Sequence, residues 1–121
     1  MPSTFQDLRV WQDAMSFAEE IYRETAHFPR QEMYGLVSQM RRAAVSVPSN
    51  IAEGKGRHSD PDFVRFLLHA RGSLLELQTQ VLIARRLQYL TVEKANALCR
   101  NSDSIGRGLN ALINSFRANA A

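Results

Sequence analysis

The hydrophobic residues of this chain recur every three or four positions within four segments, the spacing of helices that bury one face. The segments run from about 7 to 26, 32 to 54, 60 to 88 and 91 to 117. The period-two alternation typical of strands is not sustained anywhere. Because short connections place consecutive helices side by side, residues 1–121 are predicted to form one all-α domain, an antiparallel up-down-up-down four-helix bundle.

The second segment carries two stripes side by side. Its apolar stripe consists of Leu36, Met40, Ala43, Ala44, Val47, Ile51 and Gly54. Its polar stripe consists of Gln39, Arg42, Ser46, Asn50, Glu53 and Arg57. Because a surface helix normally places its polar residues opposite its apolar face, a polar stripe at the edge of the core predicts hydrogen bonds with a neighbouring helix. Pro48 lies inside the segment, where it removes one backbone donor and is expected to bend the helix.

The third segment carries a second apolar line outside its core face. Leu68, Leu75 and Leu82 are spaced seven residues apart, and Val64 lies close to the same line. One interpretation is a helix that is buried more widely than average. The other, which we favour, is a coiled-coil-like seam against another subunit, where Gly72 and Ser73 would permit close approach.

The composition is that of an ordinary soluble globular protein, with 45% hydrophobic and 22% charged residues. A single cysteine, Cys99, excludes an internal disulfide and fits a reducing compartment. The first residues lack the basic and apolar regions of a secretory signal, and no stretch approaches the roughly 20 apolar residues of a membrane span. We therefore expect a cytoplasmic protein that does not enter a membrane.

Charge is distributed unevenly along the chain. Residues 1–40 carry a net charge of −3 and residues 41–121 a net charge of +6, so one part of the fold is expected to attract polyanions. The basic residues nearest a plausible polyanion-binding surface are Arg41, Lys55, Arg57, Arg65, Arg85 and Arg86. Tyr89 is the one aromatic residue close to the last two, so binding is predicted to involve phosphates, with little sequence specificity and strong salt dependence. Alternatively, these residues solubilise the bundle or form ion pairs between subunits.

The sequence contains no recognisable constellation for enzyme chemistry. A di-iron bundle needs Glu-x-x-His on two helices, but Gly56, Thr79 and Asn96 stand three residues after the candidate glutamates. The three histidines have no metal-ligand spacing, and the basic turn 54–57 lacks the phosphate-loop pattern. We therefore expect no enzyme activity, no catalytic residue, no metal and no cofactor.

Several phrases together resemble one family. They are FQDLRVWQDA at 5–14, FPRQEMYGLVSQMRRAAVSVPSNIAEGKGR at 28–57, FLLHARGSLLELQTQ at 66–80, and the ending from Ile105 to Phe116. The chain resembles the bacterial four-helix-bundle proteins encoded by intervening sequences in 23S ribosomal RNA genes. The same family is sometimes labelled ribosomal-protein-like, and it includes relatives of the accessory protein of diversity-generating retroelements.

The resemblance implies a non-enzymatic bundle that assembles into a ring-like homo-oligomer, a pentamer. For the retroelement relatives it implies binding of nucleic acid and of a reverse transcriptase through basic surfaces. The positions that match the family are Ser46, Asn50 and Glu53 in the second helix and Arg71, Gly72, Ser73 and Glu76 in the third. We expect Asn50 and Glu53 to tie the second helix to its neighbours, with Arg71 or Arg42 as partners, because a partly buried glutamate needs one.

Two functions therefore remain open from the sequence. The first is a homo-oligomeric helical scaffold that binds the backbone of RNA or DNA, alongside a protein partner such as a reverse-transcriptase-like protein. The second is a protein-only assembly module, in which the arginines serve interfaces. Binding of nucleic acid that weakens with salt separates the two.

Overall fold

The computed structural model describes residues 4–119 and confirms an all-α protein with four helices. The helices are α1, Arg9–Thr25; α2, Leu36–Lys55; α3, Asp60–Arg86; and α4, Val92–Asn119. Two short 3₁₀ helices, Phe5–Asp7 and Arg30–Glu32, precede α1 and α2, and no strand occurs within the described residues. None of these helices combines the length and apolar character that a membrane span requires.

The start of α1 lies slightly later than the predicted start at residue 7. Thr4 and Asp7 form a capping box, in which the Thr4 hydroxyl accepts from the Gln6 N–H at 3.3 Å and the Asp7 carboxylate accepts from the Thr4 N–H at 3.0 Å. This box starts the 3₁₀ turn rather than the α-helix. Leu8 is extended, with φ −75° and ψ 123°, so α1 begins only at Arg9.

The start of α2 lies four residues after the predicted position near Glu32. Residues 30–32 form a 3₁₀ turn, and Gly35 stands immediately before the helix. The Glu32 carboxylate explains this boundary, because its Oε1 accepts a hydrogen bond from the Leu36 N–H at 3.3 Å and caps α2 from outside. Its Oε2 accepts from the Tyr89 hydroxyl at 2.8 Å, which ties the α1–α2 connection to the α3–α4 connection.

The end of α3 places Tyr89 for this contact. The Tyr89 N–H donates to the Ala84 carbonyl and the Gln88 N–H to the Arg85 carbonyl, both at 2.9 Å, which is the hydrogen-bond pattern of a Schellman motif. Gln88 occupies the left-handed position, with φ 65°. That conformation costs a non-glycine residue about 1–2 kcal/mol, which the surrounding contacts must offset. The third helix consequently ends at Arg86, two residues before the predicted bound.

One hydrophobic core is shared by all four helices. The largest side chains with less than 2% exposure are Ile21 on α1, Met40, Val47 and Ile51 on α2, Leu67, Leu77 and Val81 on α3, and Leu98, Leu109 and Ile113 on α4. Each such residue stabilises the fold by about 1.5–3 kcal/mol through removal of apolar surface from water. The apolar stripe predicted on α2 is buried except for Leu36, which is half-buried against the core.

The closest approach between helices occurs where Gly54 of α2 meets α3. A Cβ atom on Gly54 would lie 2.6 Å from Phe66 Cβ and 2.9 Å from Phe63 Cδ1, distances that packed carbon atoms do not tolerate. Glycine is therefore required for α2 and α3 to pack at this distance, next to the basic turn 54–57 that joins the two helices.

Candidate functional site

The polar stripe on α2 makes one connection to α3. The hydroxyl oxygens of Ser46 and Ser73 are 2.8 Å apart, and the Asn50 side-chain amide donates to the Ser46 carbonyl at 2.8 Å and to the Ser46 hydroxyl at 3.0 Å. All three side chains are half-buried. Asn50 therefore fixes the Ser46 rotamer, and Ser46 in turn contacts α3.

The arginine partners expected for Asn50 and Glu53 are wrong. Glu53 pairs with Arg57 one turn away in sequence, with Oε1 and Nη2 2.9 Å apart, and both side chains face solvent. Arg71 donates instead to the Asn110 side chain on α4 at 2.9 Å, and Arg42 is exposed. Because Glu53 is exposed, burial imposes no cost that would require a partner on another helix.

Asn50→Ala is expected to lower the free energy of unfolding by about 1–2 kcal/mol, because it removes two hydrogen bonds and frees the Ser46 hydroxyl. Denaturant unfolding of the variant beside Asn114→Ala, an exposed asparagine on α4, measures the effect. Equal stabilities of the two variants would contradict a structural role for Asn50.

Three predicted phosphate-binding residues converge on two phenylalanines where α2 and α3 meet. The Arg57 and Arg65 guanidinium carbons lie 4.8 and 4.6 Å from the centre of the Phe66 ring, and Lys55 Nζ lies 5.9 Å from the Phe63 ring. These cation–π contacts hold the cations in place.

Carboxylates accompany two of these three cations. Besides the Glu53–Arg57 pair, an Asp62 oxygen lies 3.7 Å from Arg65 Nε, and Asp60 stands at the start of the same helix. The local positive charge is therefore largely offset, so the corner attracts a polyanion less than its sequence suggests.

The remaining three predicted residues lie elsewhere. Arg41 faces α1, where its Nε donates to the Thr25 hydroxyl at 3.0 Å, its Nη2 donates to the Tyr22 carbonyl at 3.2 Å, and its guanidinium stacks 4.5 Å from the Tyr22 ring centre. Arg85 and Arg86 lie at the far end of α3, about 30 Å along the helix from Arg65 at 1.5 Å per residue. The structure therefore does not bring the six residues into one surface.

The positive charge is concentrated at one end of the bundle. We call residues 23–42 and 85–94 the loop end. They contain the α1–α2 and α3–α4 connections, which the Tyr89–Glu32 hydrogen bond joins. The loop end carries seven basic and three acidic residues, a net charge of +4. The opposite end, residues 4–13, 53–65 and 108–119, carries five of each. The net charges of residues 1–40 and 41–121 do not reveal this difference between the two ends, because each of these parts of the chain contributes residues to both ends.

Ionisation of Tyr89 makes the loop-end contact pH-dependent. The hydrogen bond to Glu32, followed by burial and the negative charge of Glu32, raises the pKa of Tyr89 above 10.0. A pKa raised by folding contributes stability that is complete below the unfolded pKa and is lost as pH rises through the folded pKa. We expect the free energy of unfolding to fall above about pH 10, and to fall less in Tyr89→Phe. Denaturant midpoints near pH 9 and pH 11 check this, and equal losses in both proteins would contradict it.

The predicted seam on α3 divides into two pairs. Leu75 and Leu82 are 59% and 42% exposed, as a contact with another subunit requires, whereas Val64 and Leu68 are half-buried against the core. The sequence could not separate the pairs, because all four residues lie on one side of the helix.

A second apolar surface was missed by the sequence analysis. It is a groove of about 660 Å³ between α1 and α2, which we call the α1–α2 groove. Its apolar lining consists of Phe5, Trp11, Met15, Ala18, Tyr22, Val45, Pro48 and Ala52. Tyr22 and Met15 in this lining remain exposed. The residues described contain no group of three or more histidine, cysteine or acidic side chains arranged to hold a metal ion.

Comparison with known proteins gives two findings. A family model described as 23S rRNA-intervening sequence protein matches residues 6–111. The crystal structure of a protein with unknown function from the S23 ribosomal protein family, from Bacteroides thetaiotaomicron, aligns with a TM-score of 0.77. This alignment covers 86% of this chain and 97% of the other chain at 24% sequence identity, so it establishes a shared fold. No curated protein matches the chain.

Proposed function

The chain belongs to the 23S rRNA-intervening sequence protein family, as its resemblance predicted, and we propose that it is a non-enzymatic homo-oligomeric scaffold that binds the backbone of RNA or DNA. The observation that carries the binding is the net charge of +4 at the loop end against zero at the opposite end. A concentrated positive field attracts phosphates without reading sequence. We place this activity in the cytoplasm, where a reverse-transcriptase-like protein is a candidate partner.

The proposed oligomer is a ring, a pentamer, of antiparallel up-down-up-down bundles. Contacts between α2 and α3 join Ser46 with Ser73 and Gly54 with Phe66, an order that favours antiparallel packing. Two exposed apolar features, the α1–α2 groove and the Leu75–Leu82 line on α3, are unlike in shape and lie on different helices. Two unlike patches favour a head-to-tail contact, and such a contact forms a ring when its rotation closes.

The test of binding is the affinity for a mixed-sequence RNA and for duplex DNA at low and near-physiological salt, with the native mass recorded in the same buffers. We expect affinity to fall steeply with salt, with a log–log slope of about −0.9 per duplex phosphate contacted. Arg30 and Arg86 at the loop end are both exposed, and replacing both with glutamine is expected to reduce the slope. Replacing the exposed Arg9 and Arg117 at the opposite end removes the same charge and is expected to have a smaller effect.

The second candidate is a protein-only assembly module. The α1–α2 groove favours it, because an apolar groove of about 660 Å³ suits a protein side-chain cluster better than a phosphate. An intact oligomer that binds neither nucleic acid at low salt would replace the scaffold proposal with this one.

A further inference from the structure

A shallow depression at the loop end combines arginines with exposed aromatic rings. It has a volume of about 470 Å³ and is lined by Tyr22, Met33, Tyr34, Val37, Ser38, Arg41, Arg42 and Val45. We call it the tyrosine–arginine depression. Little aromatic interleaving among the basic residues is visible in the sequence, because Tyr22 and Tyr34 come from α1 and the α1–α2 connection rather than from the basic segments.

Tyr34 is presented to solvent by a well-anchored turn. Its side chain is 92% exposed, although tyrosine is usually at least partly buried. The backbone beside it is fixed, because the Gly35 N–H donates to the Glu32 carbonyl at 3.0 Å and the Met33 N–H donates to the Arg30 carbonyl at 3.1 Å. The two oxygens of the Glu32 carboxylate are occupied by the hydrogen bonds described above. The ring is therefore exposed on an ordered support, and none of the residues described covers its apolar faces.

The two arginines of the depression supply positive charge in different ways. Arg41 is held by three contacts with α1, none of them to a carboxylate. A guanidinium has five N–H donors, so those that Arg41 does not use remain able to bind an anion. Arg42 is exposed and has no carboxylate within 4 Å among the residues described. One arginine is thus fixed, and the other is free to follow a ligand.

The absence of acidic side chains distinguishes this depression from four others on the described surface. The α1–α2 groove includes Glu19, and two depressions between α1 and α4 include Asp13. A fourth depression, on α3, includes Glu76. The lining of the tyrosine–arginine depression contains no carboxylate, and most of its residues belong to the loop end, which has a net charge of +4. Charge complementarity therefore favours a polyanionic occupant over an apolar protein segment.

We propose that the tyrosine–arginine depression binds an unpaired stretch of nucleic acid, with one base stacked on Tyr34 and the adjoining phosphates against Arg41 and Arg42. This site depends on the proposed backbone binding, and it adds a preference for unpaired strands over duplexes. Bases in a duplex stack on one another and offer no free face, whereas an unpaired base stacks on an exposed aromatic ring. The Tyr22 ring, already stacked against Arg41, lies at the edge of the same depression.

The test compares a fluorescently labelled mixed-sequence RNA single strand with a duplex of the same length, using the full-length protein in its native assembly. Tyr34→Ala is expected to weaken single-strand binding about fivefold to a hundredfold while leaving duplex binding unchanged. Tyr34→Phe keeps the ring and is expected to bind both as the wild type does. Because Tyr34 is 92% exposed, neither variant should alter the melting curve.

An arginine pair supplies the matched control. Arg42→Gln is expected to reduce the single-strand salt slope by about 0.7, the loss of one phosphate contact. Arg107→Gln removes the same charge from an exposed position on α4 and is expected to leave binding near the wild-type value.

Three other outcomes would each contradict a stated part of this proposal. If Tyr34→Ala binds the single strand as well as the wild type does, the stacking site is wrong while backbone binding stands. If the wild type binds neither strand at low salt, the proposed function fails and the site fails with it. If Tyr34→Ala lowers the native mass and weakens both strands equally, Tyr34 belongs to a protein interface.

Discussion

Gly54→Ala is expected to lower the free energy of unfolding by about 3 kcal/mol, the upper end of the range for overpacking a core. The added Cβ would lie 2.6 Å from Phe66 Cβ, an atom fixed to the α3 backbone, so rotation of the phenylalanine side chain does not relieve the clash. The helices must move apart instead, which weakens the packing of Phe63 and the stacking of Arg57 and Arg65 on the Phe66 ring. Denaturant unfolding measures the change.

Gly106→Ala on α4 is the matched control. Both glycines lie inside helices, so alanine gains about 1 kcal/mol of helix propensity at either position. A Cβ on Gly106 would meet only Leu74 Cδ2, at 3.6 Å, which is ordinary van der Waals contact. The difference between the two variants therefore isolates the clash at Gly54. Equal stabilities would mean that α2 and α3 can separate without cost.

The helices were predictable because their signals are local. Spacing of three and four residues identifies a buried face without knowledge of the rest of the fold. The start of α3 is also a local signal, because the capping residue Ser59 and the first-turn Pro61 are close in sequence. The α2 boundary was not predictable, because the Glu32 carboxylate that caps it from outside is also held by Tyr89, 57 residues away in sequence. Likewise, spacing placed Gly54 on the buried face but did not reveal that Phe66 approaches it.

The candidate site was less predictable because it depends on which helix each side chain meets. Arg41 and Arg42 are neighbours in sequence, yet Arg41 is bound to α1 and Arg42 is exposed, since they are separated by about 100° around α2. Tyr34 carries no periodic signal, because it lies in a turn outside the helices. The charge of the loop end appears only when two chain segments far apart in sequence are counted together.

Leu75→Glu is expected to dissociate the proposed oligomer while leaving the helical content of each subunit intact. Leu75 is 59% exposed, so the single subunit accommodates a carboxylate there, but a seam between subunits would bury it without a partner. An unpaired charge in an interface costs about 3–5 kcal/mol, which weakens each contact by more than a hundredfold. Light scattering gives the native mass, and circular dichroism gives the helical content.

Leu87→Glu is the matched control, since Leu87 is 50% exposed and lies just after α3, off the seven-residue line. It makes the same chemical change at similar exposure and is expected to keep the native mass. A Leu75→Glu protein with the wild-type mass would show that the apolar line on α3 is not an interface.

Mixing two variants tests whether the contact is head-to-tail. Val45→Glu places a carboxylate where the α1–α2 groove borders the tyrosine–arginine depression, and we propose that this groove receives the Leu75–Leu82 line of the next subunit. Each variant alone is expected to be monomeric. In a mixture, the intact groove of a Leu75→Glu subunit still accepts the intact line of a Val45→Glu subunit, so dimers form and growth stops there. If Leu75 instead packs against Leu75 of a second copy, Val45→Glu keeps its native mass, and the mixture gives no such dimer.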